Sequence, residues 1–220
     1  MLEIIATTPA DAIAAEQGGA DRIELVSALG EGGLTPSYGM IEAVVNSVII
    51  PVNVMVRPHS QSFVYDATEL AVMIRDIEYI KQLGAHGVVL GLLDTQQGID
   101  RAGLEQLLAV CDGLEVTFHR AIDETNHEQS LAVLADYPQI TTVLTSGGLT
   151  KPIVENLQTL QTMMVASGHI QLLLGGGITA HNIRQLHQSI GTNHYHLGTA
   201  VQTAGRVDSE KVRQIKELIR

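Results

Sequence analysis

The chain has 220 residues, with 24 acidic against 13 basic side chains and a net charge of −11 when histidines are neutral. It shows no basic cluster of the kind that neutralises phosphate backbones, which argues against nucleic acid as a partner. A 45% hydrophobic content supplies one large, mainly aliphatic core, and the single cysteine, Cys111, excludes an internal disulfide and suits a reducing cytosol.

Residues 2–6 already read as a strand rather than a secretion leader, and no apolar run is long enough to span a bilayer. The expectation is a cytoplasmic, non-membrane protein forming a single domain over residues 1–220. Further β-type runs follow at 22–26, 51–56, 87–91, 115–119, 141–145, 171–175 and 194–198. Helical patterns lie between them at about 9–17, 36–47, 66–82, 100–110, 126–135, 151–167, 179–189 and 208–219. Thr8-Pro9, Thr35-Pro36, Lys151-Pro152 and Thr179 mark helix starts, and Gly18-Gly19, Gly84 and Gly168 mark stops.

A βα unit repeated eight times predicts the α/β class and a single (β/α)8 TIM-type barrel. A doubly wound open sheet is the alternative, although it normally needs fewer strands or a longer chain. A weak internal echo supports stacked βα units: Gly18-Gly-Ala-Asp-Arg-Ile-Glu-Leu25 and Leu83-Gly-Ala-His-Gly-Val-Val-Leu90 each run from a helix stop into a strand.

Strand side chains alternate between barrel lumen and helices. If the smoother apolar face meets the helices, that face holds Leu2, Ile4, Ile23, Leu25, Val52, Val54, Val56, Val116 and Phe118. The lumen then receives Glu3, Ile5, Arg22, Glu24, Val26, Asn53, Met55, Arg57, Glu115, Thr117 and His119, with His194 and His196. Such an interior is unusually polar, and desolvated charges cost several kcal/mol unless paired.

Barrel chemistry sits at the C-terminal ends of the strands. There the sequence places His119, Arg120 and Asp123 after strand five and Arg57 after strand three, with lumen-facing Glu24 behind them. The functional reading makes Glu24 or His119 a general acid or base and Arg57 or Arg120 an anchor for an anion. The structural alternatives are a self-satisfied Glu24–Arg57 ion pair and an Asp123 that caps the next helix.

Glycine-rich turns end strands six, seven and eight. Ser146, Gly147 and Gly148, then Gly176 and Gly177, then Gly198 and Thr199, form a candidate phosphate or anion cradle built from backbone N–H groups. Purely steric turns are the alternative. His194-x-His196 puts two imidazoles on one strand face, too few for a closed metal site, and Cys111 reads as a buried hydrophobe near the other end of the barrel. No metal ligand set is assigned.

Several long motifs carry a resemblance. Ala20-Asp-Arg-Ile-Glu-Leu-Val-Ser-Ala-Leu-Gly-Glu-Gly-Gly-Leu-Thr-Pro36, Val54-Met-Val-Arg-Pro58, Thr117-Phe-His-Arg-Ala-Ile-Asp123, Leu144-Thr-Ser-Gly-Gly148 and Gly175-Gly-Gly-Ile178 resemble the CutC copper homeostasis family nearly end to end. The resemblance implies a cytoplasmic barrel, a homodimer or higher homo-oligomer, and copper as the associated ion. It also implies, for some members, Cu(I) binding by cysteines at the ends of strands one and two. The matching positions here are Ile5 and Val26, which offer no ligand atom. Three functions follow as expectations: copper homeostasis without a thiolate site, an enzyme for a small anionic or phosphorylated substrate, and a non-catalytic sensor of a small-molecule or ion ligand.

Overall fold

Short runs of alternating side chains form the strands, and their register fixes which residues meet inside. In the computed structural model, which describes residues 1–219, β1 (Leu2–Ala6) pairs with β2 (Arg22–Leu25) so that Glu3 lies opposite Arg22 and Ile5 opposite Glu24. β3 (Val52–Met55), β4 (Gly87–Leu90), β5 (Glu115–Phe118), β6 (Ile140–Thr145) and β7 (Gln171–Leu174) follow in parallel order. β8 (Tyr195–Leu197) returns to β1 with His196 opposite Glu3, closing an eight-stranded parallel barrel. Closure removes every sheet edge, and the alternative of an open sheet falls with it.

The helices that join the strands are α1 (Pro9–Gly18), α2 (Tyr38–Val45), α3 (Ala67–Gln82), α4 (Arg101–Leu108), α5 (His127–Leu134), α6 (Leu157–Ala166), α7 (Ile183–Ile190) and α8 (Ser209–Leu218). Thr8, Ser37, Asp66, Asp100, Asn126 and Asp208 cap α1 to α5 and α8, each accepting a bond from a first-turn N–H. Asp66 and Glu69 complete a reciprocal capping box at α3. No helix among the described residues is long and apolar enough to cross a membrane.

The parity expectation describes the core. Leu2, Ile4, Ile23, Leu25, Val52, Val54, Val56, Val116 and Phe118 all lie in the apolar layer shared by strands and helices. Each such burial contributes roughly 1.5–3 kcal/mol. A second, separate apolar cluster of Val26, Met55 and Val89, with Ile5 and Leu29 against it, sits within the lumen above a polar layer.

Three helix starts differ from the sequence expectation. Proline at 36 precedes α2 rather than opening it, because the Ser37 hydroxyl takes the Met40 N–H and sets the first turn there. Lys151-Pro152 leads into a 3₁₀ turn (Ile153–Glu155), and α6 begins only at Leu157. The Asn156 amide, which donates to the Ser146 and Lys151 carbonyls, holds the intervening loop against β6. Thr179 likewise precedes α7 by a turn, its N–H bonded to the Asn182 Oδ1 while the Asn182 amide donates to the Gly177 carbonyl. In both places, side-chain bonds to backbone compete with helix extension. A two-residue antiparallel hairpin, Gln202–Thr203 with Arg206–Val207, had no signal in the alternation; the Val207 N–H donates to buried Asp11 and pins the hairpin to α1.

Candidate functional site at the C-terminal end of the barrel

Polar side chains from β1, β2, β5 and β8 meet inside the barrel because parity leaves them no other direction. Arg22 donates from Nε to Glu3 at 2.5 Å and from a terminal nitrogen to Glu115 at 3.2 Å, and Glu115 also faces His86 at 3.2 Å. On the other side of Glu3, His196 Nδ1 is 2.7 Å from its carboxylate, and His196 Nε2 is 3.6 Å from Glu24. Burial works to raise the Glu3 carboxyl, but Arg22 and His196 outweigh it and hold it at about 2. Among the described residues, Glu24 has only His196, at 3.6 Å, and no guanidinium beside it. Burial pushes its carboxyl up to about 7, with His196 opposing that rise and Glu3 adding to it. His196 is raised in turn: burial opposes its charge, while Glu24 and Glu3 favour it.

Above this layer opens a cavity of about 550 Å³. It is lined by Glu24 and His196, by Arg57, Phe63, His119 and Arg120, and by Gly176, Gly177, Gly198 and Thr199, with Gly176 beside the Arg120 guanidinium. His119 ends β5 and caps a 3₁₀ turn (Arg120–Glu124): its Nδ1 accepts the Ala121 N–H at 3.2 Å, which leaves the ring proton on Nε2. Burial first, and then the Arg57 guanidinium, push this imidazole down to about 3, so it is neutral. The ring lies 4.8 Å from the centroid of Phe63 and against Gly91, where a Cβ would collide with it.

Arg57 donates to the carbonyls of Glu31 (3.0 Å), Gly33 (3.3 Å) and Ser60 (3.4 Å) and stacks 4.7 Å over Phe63. Among the described residues it forms no ion pair, so the expected structural pair with Glu24 does not exist; Glu24 turns to His196 instead, which β8–β1 closure places beside it. Arg120, by contrast, is neutralised, with Nε 2.9 Å from Asp123 and a terminal nitrogen 3.0 Å from the Ser146 hydroxyl.

Asp123 does not cap the following helix, a role Asn126 fills. It accepts from the Thr145 hydroxyl at 2.5 Å, from Ser146 N–H and Oγ, and from Arg120, tying the β5 and β6 ends together beneath the rim. Of the glycine-rich cradle, Gly176, Gly177, Gly198 and Thr199 reach the cavity, whereas Ser146, Gly147 and Gly148 stand behind it. The Ser146 hydroxyl is engaged by Asp123 and the Gly148 carbonyl, and the Gly147 N–H donates to Thr145. Gly176, at φ 93°, is required where it stands: a Cβ there would lie 3.3 Å from the Arg120 guanidinium carbon and 3.0 Å from the Ser146 Cβ.

Of the two strand-eight imidazoles, His196 lines the cavity, while His194 precedes the strand and does not. His196 and Glu3 are the partners that residue types alone did not single out; only their register across the closing strands pairs them. One ligand-type atom from each of Glu3, Glu24 and His196 falls within 4.8 Å of the others. The Arg22 guanidinium and the imidazole already balance these carboxylates, which makes the trio an ion-pair network. Cys111 is buried far from this chemistry, donating to the Leu107 carbonyl, and burial pushes its thiol up to about 12. Ile5 and Val26 form part of the cavity wall.

The chain is similar to the family protein CutC of Xanthomonas axonopodis pv. citri, at 39% identity over 94% of this chain and 87% of that protein. It is also 39% identical to the human copper homeostasis protein cutC homolog, over 89% of this chain and 72% of that protein. In three dimensions it matches the CutC from Streptococcus agalactiae with a TM-score of 0.87 at 32% identity, covering 92% of this chain and 99% of that one. With the CutC family model matching residues 1–201 as well, the chain belongs to the CutC family.

Proposed function

We propose that the protein is an enzyme that converts a small anionic, phosphorylated molecule in the cavity at the C-terminal end of the barrel. The supporting observation is that Glu24, Arg57 and His119 line one cavity, are only 2%, 8% and 4% exposed, and each keep a buried polar atom without a protein partner: Oε1, Nε and Nε2. Desolvated groups of this kind are costly to a fold that gains nothing from them. A ligand supplies what is missing: an anion for Arg57, and acceptors and protons for His119 and Glu24. The phosphate belongs in the corner made by Gly176, Gly177 and the 3₁₀ turn Thr199–Val201, where backbone N–H groups and Arg120 suit it and an acidic protein needs no lysines.

Copper enters through the human relative's name. For this chain we place any copper role downstream of the barrel's reaction, since its lone thiol is buried and held protonated and Ile5 and Val26 have no ligand atoms. The reduced thiol suits work in the cytoplasm. Calorimetric titration with inorganic phosphate tests the main reading. Binding that weakens at least about tenfold in Arg120→Ala supports it, and the absence of any phosphate binding to the native protein overturns it.

A further inference from the structure

Two groups that line the cavity, Glu24 and His119, have complementary and incomplete chemistry. Glu24 stands on β2 and His119 at the end of β5, three strands apart around a circuit of eight, and both line the one cavity. Glu24 presents a carboxyl oxygen with no partner. His119 presents an Nε2–H with no partner, its tautomer fixed by the Ala121 N–H at Nδ1 and its ring held by Gly91 and Phe63. A neutral imidazole donor and a carboxylate base, both buried and lining one cavity, are the equipment for removing a proton from carbon beside a carbonyl.

We infer that the reaction is the isomerisation of a small phosphorylated α-hydroxy carbonyl compound, with Glu24 carrying the carbon-bound proton and His119 bonding to the oxygens through Nε2. The inference rests on the phosphate reading above and adds the reaction class.

In this reaction Glu24 takes the proton from the hydroxyl-bearing carbon. The C–H pair becomes the C=C bond of an enediolate, and the carbonyl π pair moves onto oxygen, where His119 Nε2–H stabilises and protonates it. His119 recovers its proton from the neighbouring hydroxyl as that oxygen becomes the new carbonyl, and Glu24 returns its proton to the former carbonyl carbon. Substrate and product are isomers, so no oxidant, reductant or water is consumed. His196, held by Glu3 on its far side, lies where it can offset the carboxylate charge each time Glu24 releases its proton.

The test uses phosphoglycolohydroxamate, a phosphorylated mimic of the planar enediolate, against 2-phosphoglycolate and inorganic phosphate in calorimetric titrations of the native protein. The expected result is that the hydroxamate binds about a hundredfold or more tighter than 2-phosphoglycolate. That advantage should disappear in His119→Gln and Glu24→Gln while phosphate binding persists, which also shows that the variants are folded. If phosphate and 2-phosphoglycolate bind and the hydroxamate gains nothing, the reaction class is wrong and the phosphate reading stands. If none of the three binds, both fall.

Discussion

Glu24 must be ionised to accept a proton from carbon, so kcat/KM should rise with pH through about 7 and level off above it. His196 favours the carboxylate form, and His196→Gln should therefore move this acid limb to higher pH; a limb that moves down would contradict the assignment. Stability carries the same sign. The folded carboxyl holds its proton above the ordinary value of 4.5, so its contribution is fully present below 4.5 and is lost as pH rises to about 7. Thermal melts of the native protein and Glu24→Gln should thus differ least favourably for the native chain above neutrality. Glu3 behaves oppositely, since its carboxyl is held down at about 2 and its contribution is lost only as pH falls from 4.5 toward that value. Glu3→Gln strands the Arg22 guanidinium in the lumen and should cost about 3–5 kcal/mol in urea unfolding.

At the scale of elements, the β5 and β6 ends are joined through one carboxylate. Asp123→Ala frees Arg120, Thr145 and Ser146 at once, and we expect a loss of about 2–4 kcal/mol in chemical denaturation together with weaker phosphate binding beside Gly176. If stability falls but phosphate affinity is unchanged, Asp123 holds the fold and not the anion corner. Elements of this kind were only partly legible in the sequence. Alternation placed every barrel strand within a residue or two at either end, because burial on both faces leaves a strong signal. Helix entries were harder. Asn156 and Asn182 reach back to backbone carbonyls in loops, and nothing in the spacing of Lys151-Pro152 or Thr179 announces those bonds.

For the whole molecule, parity separated the apolar outer layer from the polar lumen, with His194 falling outside the strand, since a period of two survives small errors in strand ends. Which lumen residues touch was not readable. Glu24 was paired in expectation with Arg57, its neighbour along the circuit, whereas closure of the barrel brings the last strand against the first and gives Glu24 a histidine 172 positions later. The cradle was half legible for the same reason: glycine marks a turn but not the direction in which the turn faces. The absence of an accessible thiol gives a whole-protein expectation as well. Reduced protein mixed with Cu(I) and a strong chelator should retain no copper, and retention in one-to-one ratio would require a ligand set outside the thiol.

Gly91 directly follows β4 and lies against the His119 ring at the end of the neighbouring β5, with no side chain of its own to contribute. A single methyl group there occupies the space of the imidazole while leaving every polar residue of the cavity in place. Gly91→Ala is therefore a way to silence the site by shape alone. Such a protein would keep its phosphate corner, lose the aligned Nε2 donor, and serve in cells as an occupied but inert version, separating what the barrel does by catalysis from what it does by binding.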